Sequence, residues 1–207
     1  MFLTFITFGQ SEQKRLNPLE PTVLEFVYVT KKNIPQNEDV HFFSNELFIV
    51  SDESPAFNQG ADLYYKSVDS NWIEIHLDWN KVKIDTVNLD GIGKAELVLT
   101  CSGCDYGTGG GTCSGGIVIL NIDTLPIQLL KVANYCSYES YDRANPDDYI
   151  LLEYTRKITF SNRSITISPN NVAQLKSLLH DFADCQLTEI QSGTYTLQNG
   201  KLTTIKK

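Results

Sequence analysis

The chain has 207 residues, 42% of them hydrophobic, and carries a net charge of −8 with a pI near 4.8. Such acidity repels phosphate backbones and anionic lipid, which argues against nucleic acid as a partner, and no apolar run approaches the ~20 residues that cross a bilayer. The length suits one sizeable core, so a single domain is expected over 22–207.

The first nine residues, MFLTFITFG, set Phe2, Leu3, Phe5, Ile6 and Phe8 before Gly9. This reads as the last part of a secretory signal peptide; the alternative is an ordinary first strand, which the same Phe, Ile and Thr would suit. Residues 10–21 are polar, punctuated by Pro18 and Pro21, and read as a linker.

From there the pattern is strand after strand. Thr22 to Thr30 is rich in β-branched and aromatic residues, and Asn33 to Asn37 supplies loop chemistry. Glu46 to Val50 is a short strand, Ser51 to Gly60 a loop, and Leu63 to Val68 a further strand. In Trp72 to Trp79, Trp72, Glu74 and His76 alternate with Ile73, Ile75 and Leu77, which places His76 on the polar face of a half-buried strand. Over Lys81 to Leu89 the apolar parity switches, predicting a bulge or a break near Asp85.

The runs Leu97-Val98-Leu99 and Ile117 to Leu120 are uninterrupted and bounded by glycine. They predict strands buried on both faces at the centre of a sheet, joined by a glycine loop from Cys101 to Gly116. Ile127 to Val132 is a strand, and Asn134 to Asp148 an acidic, tyrosine-bearing loop. Tyr149 to Phe160 and Ser164 to Ile167 form a hairpin around Ser161 to Arg163. Ser168-Pro169 caps a helix whose stripe is Val172, Leu175, Leu178, Leu179 and Phe182. A last hairpin turns at Asn199-Gly200. The expected fold is therefore mainly antiparallel β, as a sheet, sandwich or propeller-like set of hairpins, with one α-helix in the C-terminal half.

Cysteines stand at 101, 104, 113, 136 and 185, an odd number. In an oxidising compartment one or two disulfides follow, whereas in the cytosol Cys101, Cys104 and Cys113 would suggest a metal or redox site. A zinc site lacks a fourth ligand at the usual spacing, so disulfides are expected, with Cys136 to Cys185 as one hypothesis. Gly111-Thr-Cys113-Ser-Gly115 outlines a nucleophile elbow, but His41, His76 and His180 occur in no activating context. No catalytic residue is assigned. Phosphate-cradling motifs cannot be placed in register in the glycine loop. Tyr135, Tyr138 and Tyr141, among Glu139 and Asp142, form the candidate contact surface for a protein or carbohydrate, since tyrosine offers a flat apolar body with a hydroxyl.

The stretch NLDGIGKAELVL, Asn88 to Leu99, resembles the DxDGDGxxDLVV signature of FG-GAP and integrin-α-like β-propeller repeats. With the glycine-rich stretch and the hairpin Gly193 to Lys201, the chain is also similar to small secreted bacterial proteins that carry a single degenerate copy of that signature. The resemblance implies calcium ligation by Asn88, Asp90 and Glu96. Ile92 occupies the fifth position of the loop and cannot coordinate an ion, so a metal-free hairpin at Asp90-Gly91 is the expectation and calcium the sole cofactor considered. The whole reads as a non-catalytic binding or structural module, secreted, periplasmic or on the cell surface. The alternatives are a small secreted hydrolase using Cys113 and an inhibitor of a secreted enzyme.

Overall fold

The computed structural model describes residues 19–30, 40–51, 60–79, 81–92, 95–107, 110–142, 145–161, 163–169 and 190–205. Residues 1–9, most of the linker, the expected helix through Phe182, and Cys185 lie outside the described residues. The described chain is mainly β, with three antiparallel sheets and no helix.

The largest sheet has the order β1 (Thr22–Val23), β10 (Ile127–Asp142), β9 (Gly110–Asn121), β8 (Glu96–Gly107) and β7 (Lys81–Val87), with β11 (Asn145–Thr155) pairing the far end of β10. A five-stranded sheet runs β2 (Val27–Val29), β6 (Trp72–Leu77), β5 (Ala61–Lys66), β4 (Leu47–Ser51) and β3 (Val40–Ser44). A four-stranded sheet runs β12 (Ile158–Ser161), β13 (Ser164–Ile167), β14 (Gly193–Gln198) and β15 (Lys201–Thr204).

Two hydrophobic clusters stack these sheets as layers. In one, Leu97, Leu99, Val118 and Leu120 of the largest sheet meet Ile49, Leu63, Tyr65, Ile73 and Ile75 of the five-stranded sheet. In the other, Val98, Ile117, Ile119 and Val132 meet Ile165, Ile167, Tyr195, Leu197 and Leu202 of the four-stranded sheet. The largest sheet is thus the middle layer, and β8 and β9 are buried on both faces, as their unbroken apolar runs require. Each fully buried Leu or Ile contributes about 1.5–3 kcal/mol relative to exposure.

The two-sided core also explains the parity switch in β7. Its register against β8 runs unbroken from Lys81↔Ser102 to Val87↔Glu96, so the bulge or break expected near Asp85 is absent. Val82 and Ile84 pack into one cluster and Val87 into the other. A strand with a packed layer on each side can change parity without breaking.

Other expectations are corrected. Thr22 to Thr30 is not one strand: β1 pairs β10 in the middle layer and β2 pairs β6 in the outer one, so residues 24–26 cross between layers. The stretch Cys101 to Gly116 is not a loop but the distal half of the β8–β9 hairpin, in register from Cys101↔Gly116 to Gly107↔Gly110. Glycine is accommodated there by aromatic cover: a Cβ on Gly111 would collide with the Tyr106 ring, and one on Gly116 would lie 3.3 Å from the Trp79 ring. Asn134 to Asp148 is likewise mostly strand, divided between β10 and β11, with a register shift between Ala133 and Tyr135. The closing hairpin turns as expected, with Asn199 at φ 51° and Gly200 at φ 75°, the positive pair a two-residue type I′ turn demands.

Candidate functional site

The outer faces of the two outer layers differ sharply. On the four-stranded sheet, Thr159, Thr166, Thr194, Thr196 and Thr203 line the side away from the core in register, an ordinary solvated β surface. On the five-stranded sheet the corresponding positions are aromatic and acidic. The register aligns Phe42, Phe48, Tyr64, Glu74 and Val27 across all five strands. A second row holds Val40, Val50, Asp62 and His76, and a third pairs Lys66, Trp72 and Val29.

These side chains form one packed array. Phe48 stacks on Tyr64 with centroids 5.2 Å apart and meets Phe42 at 5.3 Å and Trp72 at 5.5 Å. Val29, Val40 and Val50 complete its walls. Each aromatic pair adds about 0.5–1.5 kcal/mol beyond area burial, so the array is a rigid platform. Phe48 and Tyr64 are buried within it, whereas Phe42 at its margin is 70% exposed. Burial, and then the hydrogen bond and charge of Glu74, push the Tyr64 hydroxyl well above its usual range.

Beside the array, His76 Nδ1 lies 2.8 Å from Asp62 Oδ1 on the polar face, as the alternation of β6 requires. Gly60 makes room for it: φ there is +83°, and a Cβ would collide with the Leu77 carbonyl oxygen and fall 2.9 Å from the imidazole. A groove of about 540 Å³ opens alongside, lined by Leu24, Glu25, Phe26, Val27, Glu74 and His76. Among the described residues the ion pairs are Lys66–Glu46, His76–Asp62, Lys131–Asp78 and Lys201–Glu20. Neither Glu25 nor Glu74 therefore faces a described cation.

The residues singled out from sequence fall elsewhere. Asn88, Asp90 and Glu96 do converge on one turn, but their oxygens serve its own backbone. Asn88 Oδ1 accepts from Gly91 N at 2.6 Å, Asp90 Oδ1 from Ile92 N at 2.7 Å, and Glu96 Oε2 from Leu89 N at 2.9 Å. A Cβ on Gly91 would collide with the Arg163 guanidinium, so that cation already covers the turn. Among the described residues no group of three or more His, Cys, Asp or Glu is placed to hold a metal ion. Glu96 is buried with Oε1 unpartnered; burial raises its pKa, partly opposed by the N–H of Leu89 and its own amide.

Tyr135, Tyr138 and Tyr141 all lie on β10 rather than on a loop. Tyr135 donates from its hydroxyl to Ser137 Oγ at 2.8 Å. Cys104 and Cys113, directly opposite in register, form a disulfide with Cα atoms 4.0 Å apart. The Tyr106 hydroxyl lies 3.2 Å from Cys113 Sγ. Cys113 is thus no thiolate nucleophile in this state. Cys101 is a buried free thiol, held near pKa 12 by burial, with Lys131 lowering and Asp78 raising it. Cys136 is disulfide-bonded.

Sequence reading missed Phe42, Phe48, Tyr64, Glu25 and Glu74. The available signal was the polar parity of β6: extending it through β5 and β4 would have put Tyr64 and Phe48 on the side of Glu74. No family model, curated protein or solved structure matches this chain.

Proposed function

We propose that this chain is a non-catalytic binding module of an oxidising compartment, secreted, periplasmic or on the cell surface, which holds a protein or carbohydrate partner against the outer face of the five-stranded sheet. The observation that carries this reading is the contrast between the two outer layers. Threonines cover one, while the other spends Phe42, Phe48, Tyr64 and Trp72 on the side away from the core. Phe42, exposed at the margin, and the part-exposed Trp72, both braced by the buried Phe48 and Tyr64, offer flat contact area at little entropic cost, suited to a sugar ring or an apolar protein surface. The Cys104–Cys113 disulfide and the bonded state of Cys136 support the compartment.

The test pairs a glycan array and immobilised secreted proteins with the Phe42→Ser, Trp72→Ser double variant. The reading expects a ligand whose binding the double variant loses while its circular dichroism stays native. Undiminished binding to that variant would defeat it. A second reading, inhibition of a secreted enzyme, is favoured by one feature: the disulfide staples a β8–β9 hairpin that presents Tyr106 at 67% exposure. A ligand footprint centred on Tyr106 instead of Phe42 would select it.

A further inference from the structure

The groove beside the aromatic array has a composition of its own. Leu24, Phe26 and Val27 form its apolar wall, and Glu25 and Glu74 bring two carboxylates without a described cationic partner. The one basic group there, His76, is already engaged by Asp62. A solvated acidic face would need no apolar wall, and an apolar docking cleft would need no carboxylates. Together they match a side chain with an aliphatic stem and a cationic head, which is lysine or arginine.

The groove lies where residues 24–26 lead into β2 at Val27, beside Glu74 and His76 of β6, and β2 ends the five-stranded sheet. It has three residues and pairs only β6 among the described strands, at Val27↔Glu74, Tyr28↔Ile73 and Val29↔Trp72. No described strand pairs its other edge, and Val27 and Tyr28 are 58% and 60% exposed. An exposed apolar edge strand is a template on which an extended segment can pair, its backbone supplying affinity and its alternate side chains specificity.

We infer that the β2 edge takes an extended basic segment of a partner protein as an added strand, with a lysine or arginine lying in the groove against Glu25 and Glu74. The neighbouring side chains of that segment, two residues away on the same face, reach Val29 and Trp72 at one end. The chain's net charge of −8 favours approach of such a partner from a distance. The inference rests on the proposed function only in taking the five-stranded sheet as the recognition layer.

The experiment uses the full chain and three fluorescent probes: a blocked heptapeptide of alternating valine and lysine, its valine–glutamate counterpart, and a glucosamine tetramer. The lysine peptide is expected to bind, more weakly as salt rises, and to slow amide exchange at Val27–Val29. Glu25→Gln with Glu74→Gln should weaken it by about tenfold, the loss of two partly exposed charge pairs. Because Glu74 also touches Tyr64, the single charge reversal Glu25→Lys provides a second variant and should weaken binding at least as much. No binding of the lysine peptide, equal binding of the glutamate peptide, or affinity indifferent to both variants would overturn the inference. Equal binding of the glucosamine tetramer with the same exchange footprint would also overturn it and reassign the groove to cationic sugars. Phe42→Ser separates the two ideas: a ligand that needs Phe42 but neither glutamate leaves the proposed function standing and removes this one.

Discussion

Truncating Leu99 and Ile119, one at a time, measures whether the middle sheet is packed on both sides. The two sit on neighbouring central strands but face opposite layers, Leu99 toward the five-stranded sheet and Ile119 toward the four-stranded one, and both have no exposed surface. Leu99→Ala removes three carbons from a site walled by residues of two sheets, and Ile119→Ala removes three from the other. Large-to-small changes at such sites cost about 2–5 kcal/mol, transfer and residual cavity together. A domain of this size has about 5–15 kcal/mol in all, so each variant should lose a large share of its stability. Urea unfolding followed by tryptophan fluorescence reads the loss as a lower midpoint at unchanged slope. In a sheet with one wet face, one of the two side chains would point at solvent, and its truncation would fall within about 0.5 kcal/mol of zero. That outcome for either residue would refute the two-sided core.

Three further expectations follow. Glu96 has its folded pKa raised by burial, so its contribution is fully present below the unfolded carboxylate range and is lost as pH rises through the folded value. The stability of the native chain minus that of Glu96→Gln should therefore fall as pH rises from 4 toward neutrality; a difference that grows with pH would contradict the assignment. Alkylation of native protein should spare Cys101, buried and held near pKa 12, and label it only on unfolding, while peptide mapping without reductant recovers Cys104 joined to Cys113. Labelling of Cys101 in the folded state would show the core to be open. Since Asn88, Asp90 and Glu96 are engaged by backbone N–H groups and Arg163 covers Gly91, the melting temperature should not respond to calcium or chelator. A calcium-dependent rise of several degrees would restore the metal site.

The parts of this fold that could be read in advance are those where burial acts on short stretches. Leu97 to Leu99 and Ile117 to Leu120 are apolar at every position because both sides are packed, and Asn199-Gly200 announces a turn that few other pairs can make. The glycine stretch misled because glycine propensity says loop, whereas Tyr106 and Trp79 supply from across the sheet the cover that Gly111 and Gly116 lack. Cross-strand rescue of this kind has no local signature. The same holds for Tyr135 to Asp142, where pairing with β9 and β11 overrides an acidic composition suited to a loop. The outward aromatic array was the least legible part: Phe48 lies inside the run Leu47-Phe48-Ile49, and only register against Tyr64 and Glu74 reveals that it faces away from its neighbours' core. The turn at Asn88 to Glu96 was located by its resemblance, yet its oxygens are engaged with the backbone in a way no spacing rule conveys.

The layered arrangement that leaves an aromatic face outward can be tested in one experiment, hydroxyl-radical footprinting of the native chain read by mass spectrometry. Phe42 and Tyr28 should oxidise readily and Val98, Leu99, Val118 and Ile119 should stay protected until the protein unfolds. Rapid oxidation of Val98 or Val118, or protection of Phe42 in the isolated chain, would contradict the account.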